Sequence, residues 1–212
     1  MKKDLAKFAV FFSLILSNAS AADLNSGIKK IQDDWAIAKY NSKEKKEIVA
    51  GLEACASEAH ELSQAFPQSA EAVIWEGICL SSQGEYLKMT ALPKVKAAKA
   101  LFEKALTMND KALSGASYTN LGVLYHRVPG WPIGFGDSKK ADENFKKAIA
   151  IAPSDIDANY FYGMFLISED RYDEAEKHLK LAEVAPSRNR PLADSKRKEE
   201  IQAALKLLES KK

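Results

Sequence analysis

The chain has 212 residues, of which 46% are apolar, so it can bury one sizeable core but is too short for several independent domains. Beyond a predicted leader at residues 1–21, basic and acidic residues are equal in number. This balance, together with the lack of a basic patch interleaved with aromatic residues, argues against nucleic acid and against an anionic membrane surface as partners.

The first residues have the pattern of a secretory signal peptide. Lys2, Lys3 and Lys7 precede an apolar run at 8–17, and small residues at 19–21 offer a cleavage site after Ala21. The run is shorter than the ~20 residues that a membrane span needs, so a retained anchor is the less favoured alternative. We therefore predict a periplasmic or secreted protein with no membrane span after cleavage.

The segment after the leader predicts a first, degenerate helical hairpin at about 25–67, which ends at Pro67. It contains Cys55, and Cys79 follows in the next predicted helix. An even number of cysteines in an oxidising compartment favours a disulfide, which would contribute about 3 kcal/mol by closing this loop. The alternative is two buried thiols that pack as small apolar side chains.

Internal repeats predict the rest of the fold. Three stretches share one order of residues: aromatic and glycine positions in a first helix, then alanine, a large apolar residue and alanine in a second. The best copy has Tyr118, Leu121, Gly122, Tyr125, Ala141, Phe145, Ala148 and Pro153. The downstream copy has Tyr162, Gly163, Leu166, Tyr172, Ala175, Leu179, Ala182 and Pro186, and the upstream copy has Gly77, Gly84, Tyr86, Ala98, Phe102 and Ala105.

This order is typical of the tetratricopeptide repeat, in which each copy is a pair of antiparallel helices. Small residues let the helices approach closely, and stacked pairs bury a continuous core. We predict an all-α, right-handed solenoid in a single domain at 22–212. Its repeats lie at about 70–110, 115–153 and 156–187, and a capping helix follows at 193–208.

Two repeats contain extra residues between their helices. In the last repeat, Gly163 and Ala175 are 12 positions apart. The equivalent glycine and alanine are 19 positions apart in the middle repeat, at Gly122 and Ala141, and 21 apart in the first repeat. We expect two long loops on one edge of the solenoid. In the middle loop, Trp131 and Phe135 either fold back as a plug over their own hairpin or contact a ligand.

This loop, Pro-Gly-Trp-Pro-x-Gly-x-Gly-Asp at 129–137, resembles exported repeat proteins that include the TRAP-transporter-associated T component. The resemblance covers about 70–191. Within this range it includes the apolar helix at 71–77 and the Asn-Tyr-Phe-Tyr sequence at 159–162. It implies a periplasmic helical protein, in some cases oligomeric and partnered with a transporter's solute-binding protein. The chain differs from the lipoprotein members because no lipidation cysteine follows the leader.

Repeat positions also predict the side chains that line the concave groove: Glu71, Ile74, Ile78, Ser81, Ala116, Thr119, Val123, His126, Asp157, Tyr160, Met164 and Ile167. The row has no Lys, Arg or Asn, so we do not expect it to clamp a peptide carboxylate. An apolar ligand, a partner helix or the chain's own capping segment could fill the groove. The predicted binding residues are Thr119, His126, Tyr160 and Met164, with Trp131 and Phe135 in the loop.

The sequence has no recognisable catalytic, cofactor or metal motif. His60, His126 and His178 are isolated, and the charged stretches at 42–47 and 196–200 are interpreted as solvated helix faces. We therefore predict a non-enzymatic scaffold that binds a protein or peptide through its groove or inserted loops. The alternative is a transport-associated accessory protein, which an oligomer holding a small apolar ligand would favour.

Overall fold

The structure, a computed structural model, describes residues 20–211. This part of the chain forms nine α-helices and one short 3₁₀ turn, without strands. The helices are α1 (Ala21–Tyr40), α2 (Lys45–Ala65), α3 (Ala70–Leu87), α4 (Leu92–Met108), α5 (Ala112–Arg127), α6 (Ser138–Ile151), α7 (Ile156–Ser168), α8 (Tyr172–Glu183) and α9 (Pro191–Glu209).

The predicted signal peptide lies outside the described residues except at its last two positions. There Ser20 caps α1, since its hydroxyl accepts from the backbone N of Asp23 and the Asp23 carboxylate accepts from Ser20 in return. Cleavage after Ala21 would remove this cap. None of the helices between residues 20 and 211 is long and apolar enough to cross a membrane.

The repeat glycines explain how the hairpins pack. A Cβ atom on Gly122 in α5 would lie 2.8 Å from the ring of Phe145 in α6. Gly77 has the same relation to Phe102, at 2.7 Å. The ring of the second helix therefore occupies the space that a side chain on the first would need, which brings the two helix backbones close together.

Stacked hairpins bury three apolar clusters along the chain. The first joins α1, α2 and α3, the second joins α3, α4 and α5, and the third joins α5 to α9. The helix pairs α1–α2, α3–α4, α5–α6 and α7–α8 are antiparallel neighbours in this order. The architecture is the all-α repeat solenoid that the sequence predicts.

The last helix does more than cap the solenoid. Ala193 of α9 packs into the first cluster, and the Tyr40 hydroxyl of α1 donates to the Glu200 carboxylate at 3.4 Å. The two ends of the solenoid are therefore in contact, and the helices enclose a central space.

The prediction of a long loop in the first repeat is wrong. In the first repeat, α3 continues to Leu87 and a 3₁₀ turn at Lys88–Ala91 leads directly into α4. The extra residues lengthen both helices, because the stretch has no run of glycine or proline that would interrupt them. The middle insertion, residues 128–137, is a loop.

Cys55 and Cys79 are bonded to each other and tie α2 to α3. Their Cα atoms are 5.8 Å apart, within the range usual for disulfides, and both side chains are buried in the first cluster.

Candidate functional site

The central space is a partly open cavity of about 830 Å³, a size usual for ligand-binding pockets. Its wall comes mainly from α3 and α5, with contributions from α1, α4, α7, α9, the 3₁₀ turn and three loops. The lining side chains include Trp35, Lys39, Trp75, Ile78, Ser81, Glu85, Leu92, Val95, Leu113, Ala116, Thr119, Asn120, Val123, Arg127, Ile133, Asp155, Asp157, Phe161, Arg188, Arg190 and Arg197.

The middle of the cavity is apolar. Trp75 and Ile78 of α3 face it together with Val95 of α4 and Val123 of α5. Trp75 and Val95 are also members of the buried clusters, so this wall is held by the core of the solenoid. A ligand that reaches it must bring apolar groups of its own.

Two groups of charged residues line the cavity. At the C-terminal end of α3, the Glu85 carboxylate accepts from Lys39 Nζ at 3.1 Å and from Arg127 at 2.7 Å. Burial opposes ionisation of Glu85, but these two cations together lower its pKa. This group of three residues is fully paired.

Asp157 of α7, which also lines the cavity, is the centre of a cluster of arginines. Its Oδ1 accepts from Arg197 Nε at 2.8 Å, and its Oδ2 accepts from Arg188. Burial alone would raise the pKa of Asp157, but Arg197, Arg188 and Arg190 hold it well below the usual range. The cluster links α7, the loop before α9 and α9 itself.

Asp194 fixes the loop that carries two of these arginines. Its carboxylate accepts from the Arg188 backbone N at 2.8 Å, from Arg188 Nε at 2.9 Å and from the Ser187 hydroxyl at 3.0 Å. These bonds lower the pKa of Asp194 against the effect of burial. The backbone next to Arg190 is therefore held by a buried anion rather than by solvent.

Arg190 has weaker partners than its neighbours. Its side chain is only 17% exposed, its contact with Asp157 Oδ2 is 3.8 Å long, and within residues 20–211 its guanidinium makes no hydrogen bond. It lies over the Trp75 ring, 5.8 Å from the centroid. Burial and the nearby Arg188 lower the pKa of Arg190, while the carboxylates of Asp157, Asp194 and Asp155 act in the opposite direction.

The loop at 128–137 forms the rim of the cavity beside Arg127. Val128, Pro129 and Ile133 line the cavity, while Trp131 is 90% exposed and Ile133 is 70% exposed. The base of the loop is held by two backbone bonds of 2.9 Å, from Gly136 N to Pro129 O and from Asp137 N to Tyr125 O.

The two aromatic residues of this loop have opposite environments. Phe135 packs edge-to-face on Tyr125, with ring centroids 5.8 Å apart, and joins the second cluster. It is the plug that one interpretation of the sequence expected. Trp131 is the exposed side chain that the other interpretation required.

The predicted groove residues are only partly brought together. Of the six predicted binding residues, Thr119 alone lines the central cavity. His126 packs on Phe165, Tyr160 stacks against Arg197 at the edge of a smaller adjoining pocket, and Met164 packs against the third cluster. Ile78, Ser81, Ala116, Val123 and Asp157 from the predicted row also line the cavity.

Sequence reasoning missed the basic residues of the cavity. The predicted row contains no Lys, Arg or Asn, but Asn120 and Arg127 approach from neighbouring positions of α5, and three arginines approach from the loop and α9. The interpretation of 196–200 as a solvated face is wrong for Arg197, which is 5% exposed. The sequence Arg-Asn-Arg at 188–190 was the available signal.

Within residues 20–211 there is no group of three or more His, Cys, Asp or Glu side chains arranged to hold a metal ion. His60 contacts Glu76, while His178 contacts Asn159 and packs against the Tyr162 ring in a tilted arrangement. These contacts join neighbouring helices, which is a structural use of the two side chains.

A comparison with protein families agrees with this geometry. A family model described as tetratricopeptide repeat matches residues 133–190, from the rim loop through α6, α7 and α8 to Arg190. No curated protein matches the chain.

Proposed function

We propose that the chain is a non-enzymatic scaffold that binds a segment of a partner protein in its central cavity, as the tetratricopeptide-repeat match over residues 133–190 and the stacked helical hairpins suggest. The observation that supports this most directly is the rim loop, which exposes Trp131 and Ile133 next to the opening. Exposed Trp side chains are enriched among residues that dominate the affinity of protein interfaces.

The rim loop is suited to binding because only its tip is exposed. Phe135 and the backbone bonds of Gly136 and Asp137 fix the base, so Trp131 loses little conformational freedom when a partner covers it. A partner segment that enters the cavity passes Ile133 and contacts Trp131 outside it.

Changing Trp131→Ala should weaken partner binding about tenfold or more, because it removes a large apolar contact, and should change the melting temperature by less than about 2 °C. Partner proteins cross-linked to purified protein in cell-envelope extract would be quantified by mass spectrometry. Val184→Ala is the matched control, since Val184 is 77% exposed on the loop after α8.

Equal recovery of partners by wild type and Trp131→Ala would contradict the scaffold proposal at this loop. A large fall in melting temperature would instead make Trp131 part of the packing of its own hairpin.

The proposal includes export to the periplasm or the cell exterior. It is supported by the signal-peptide pattern of the first 21 residues and by the bond between Cys55 and Cys79, which suits an oxidising compartment. N-terminal sequencing of protein recovered from the cell envelope tests it, because a mature chain that begins at Ala22 is expected and a chain that begins at Met1 is not.

A second candidate is a transport-associated accessory protein that receives a small ligand, as the resemblance to the TRAP-associated T component implies. It is favoured by the contact of α9 with α1, which brings Trp35 of α1 and Arg197 of α9 into the wall of one cavity. Native mass spectrometry of protein from its own cells separates the two, because the accessory function predicts a closed oligomer or a bound small mass and the scaffold function does not.

A further inference from the structure

The rim loop has an apolar tip that the rest of residues 20–211 leaves uncovered. Trp131 is 90% exposed, Ile133 is 70% exposed, and Pro132 between them is exposed as well. Phe135 packs on Tyr125 and fixes the base of the loop, so the tip stays outside the core. Water does not favour apolar side chains presented together in this way, which indicates that another surface covers them.

Two helices begin at the edge from which this tip projects. α4 and α6 are the neighbours of α5 before and after it in the chain, and both are antiparallel to it, so both begin where α5 ends. They flank the Tyr125 ring, because Lys99 Nζ of α4 lies 5.7 Å and Lys140 Nζ of α6 lies 5.5 Å from its centroid. The rim loop therefore lies between the N-terminal parts of α4 and α6.

Exposed lysines lie on both sides of the tip. Lys139 and Lys140 are in the first turn of α6, directly after the loop, and both are exposed. On the other side, Lys99 Nζ lies 5.9 Å from the centroid of the Phe135 ring. Lys96 is exposed and one turn nearer to the start of α4, so it is closer to the edge than Lys99 is.

The charge balance of the whole chain conceals how unevenly the charges are placed. α4 and α6 together contain eight lysines, no arginine and three acidic residues, whereas α2 and α8 each contain two lysines and four acidic residues. At the edge itself, Asp137 lies 4.0 Å from Lys140 Nζ, and Glu169 accepts from Ser138 at 3.1 Å. Glu169 belongs to the turn after α7, where the basic part of the edge ends. The overall balance therefore does not argue against an anionic surface at this edge.

The residue types favour a membrane over a protein as the surface that covers the tip. Arginine is enriched and lysine is depleted at protein interfaces, and the cations of α4 and α6 are all lysines. Lysines are attracted to anionic lipid headgroups, and tryptophan is enriched where the apolar and aqueous parts of a bilayer meet. An apolar tip with lysines on both sides combines these two features.

We propose that the edge at which α4 and α6 begin docks on an anionic membrane surface. Trp131 and Ile133 lie at the level of the lipid headgroups. Lys96, Lys139 and Lys140 lie against the lipid phosphates. The docking is peripheral and reversible, since a few side chains supply it rather than a membrane span. It goes beyond the proposed scaffold function, because it states at which surface the scaffold works and turns the cavity opening towards the membrane.

The test is sedimentation of the protein, as recovered from the cell envelope, with vesicles of phosphatidylcholine alone or mixed about two to one with phosphatidylglycerol. At ~0.1 M salt, the protein should bind the mixed vesicles about tenfold or more tightly than the neutral ones. Trp35 and Trp75 are buried, so a shift of the tryptophan emission to shorter wavelength reports the insertion of Trp131. Trp131→Ala should lose most of the binding, whereas Val184→Ala, at another exposed apolar position, should keep it.

The chain offers a matched pair of charge reversals. Lys96→Glu/Lys139→Glu changes lysines beside the tip. Lys104→Glu/Lys147→Glu changes exposed lysines eight positions later in the same two helices, about 12 Å further from the edge. Both variants have the same net charge, but the first should bind the mixed vesicles about tenfold or more weakly than wild type, and the second within about threefold of it. Circular dichroism checks that each variant is folded.

Failure to bind the mixed vesicles, or equal binding to both kinds of vesicle, would overturn the proposal. Equal loss in the two charge-reversal variants would also overturn it, in favour of a general attraction of anions to the lysine-rich helices. If polyglutamate binds and the mixed vesicles do not, the surface that covers the tip is an acidic protein instead. The vesicles contain no protein, so each of these results leaves the scaffold function to be decided by the cross-linking of Trp131→Ala.

Discussion

Leu113, Ser114 and Gly115 form a short left-handed turn at the start of α5, with φ values of 48°, 59° and 75°. Only the third is a glycine, so two L side chains adopt a conformation that costs each roughly 1–2 kcal/mol. Leu113 and Ser114 both line the cavity. The turn therefore keeps two residues in an unfavourable conformation at the edge of the candidate site.

Ser114→Gly should stabilise the protein by about 0.5–1 kcal/mol, because glycine removes the steric cost of the positive φ and the hydroxyl makes no hydrogen bond within the described residues. Urea unfolding measures this free energy. Ser57→Gly, at an exposed position inside α2, is the control and should lose roughly 0.5 kcal/mol. A loss at both positions would mean that Ser114 does not adopt the left-handed conformation.

At the scale of the helical elements, the glycine of each repeat's first helix sets the distance to the second helix. A Cβ on Gly122 would meet three ring atoms of Phe145 at 2.8–2.9 Å, and this ring is fully buried. The ring is rigid, so the helices must separate to accept a methyl group.

Gly122→Ala should therefore destabilise the protein by about 1–3 kcal/mol in chemical denaturation. The double variant Gly122→Ala/Phe145→Leu should recover part of this loss, because leucine can move where the ring cannot. Gly130→Ala in the rim loop is the control, since its added Cβ would be an ordinary 3.4 Å from Gly136 O. No recovery in the double variant would show that the cost comes from another contact.

The elements also show what the sequence could predict. The repeat motif predicted the hairpins because its residues are set by contacts inside one hairpin, as Gly122 and Phe145 illustrate. The spacing between Gly77 and Ala98 indicated that the first repeat contains extra residues, but it did not indicate that these residues extend α3 and α4. Arg190 was missed as a cavity residue because it packs on Trp75, which is more than a hundred positions away.

At the scale of the whole molecule, two half-buried histidines make folding sensitive to pH. Burial is the main reason that the pKa values of His126 and His178 lie below the ordinary 6.5, assisted by Arg127 and Lys177 respectively. The unfolded chain thus binds protons at a higher pH than the folded one. The stabilisation that comes from keeping the two histidines uncharged is complete above about pH 7. It decreases as the pH falls through 6.5 towards the lower pKa values of the folded protein.

The melting temperature should therefore fall between about pH 7.5 and pH 5.5, and the fall should be smaller in the double variant His126→Gln/His178→Gln. Differential scanning calorimetry of both proteins measures it. Asp155, whose raised pKa has the opposite effect, is present in both and cancels from the difference. Identical slopes would mean that the two imidazoles are as easily protonated in the folded protein as in the unfolded chain.

The contact between α9 and α1 also restricts how this protein can evolve. An open solenoid can gain or lose a repeat, because each unit meets only its neighbours. Here Ala193 must contact the cluster around Trp35, and Glu200 must contact Tyr40, after a fixed number of helical hairpins. A duplicated or deleted hairpin would move α9 away from its contacts with α1. The contact between the two terminal helices therefore keeps the number of repeats constant.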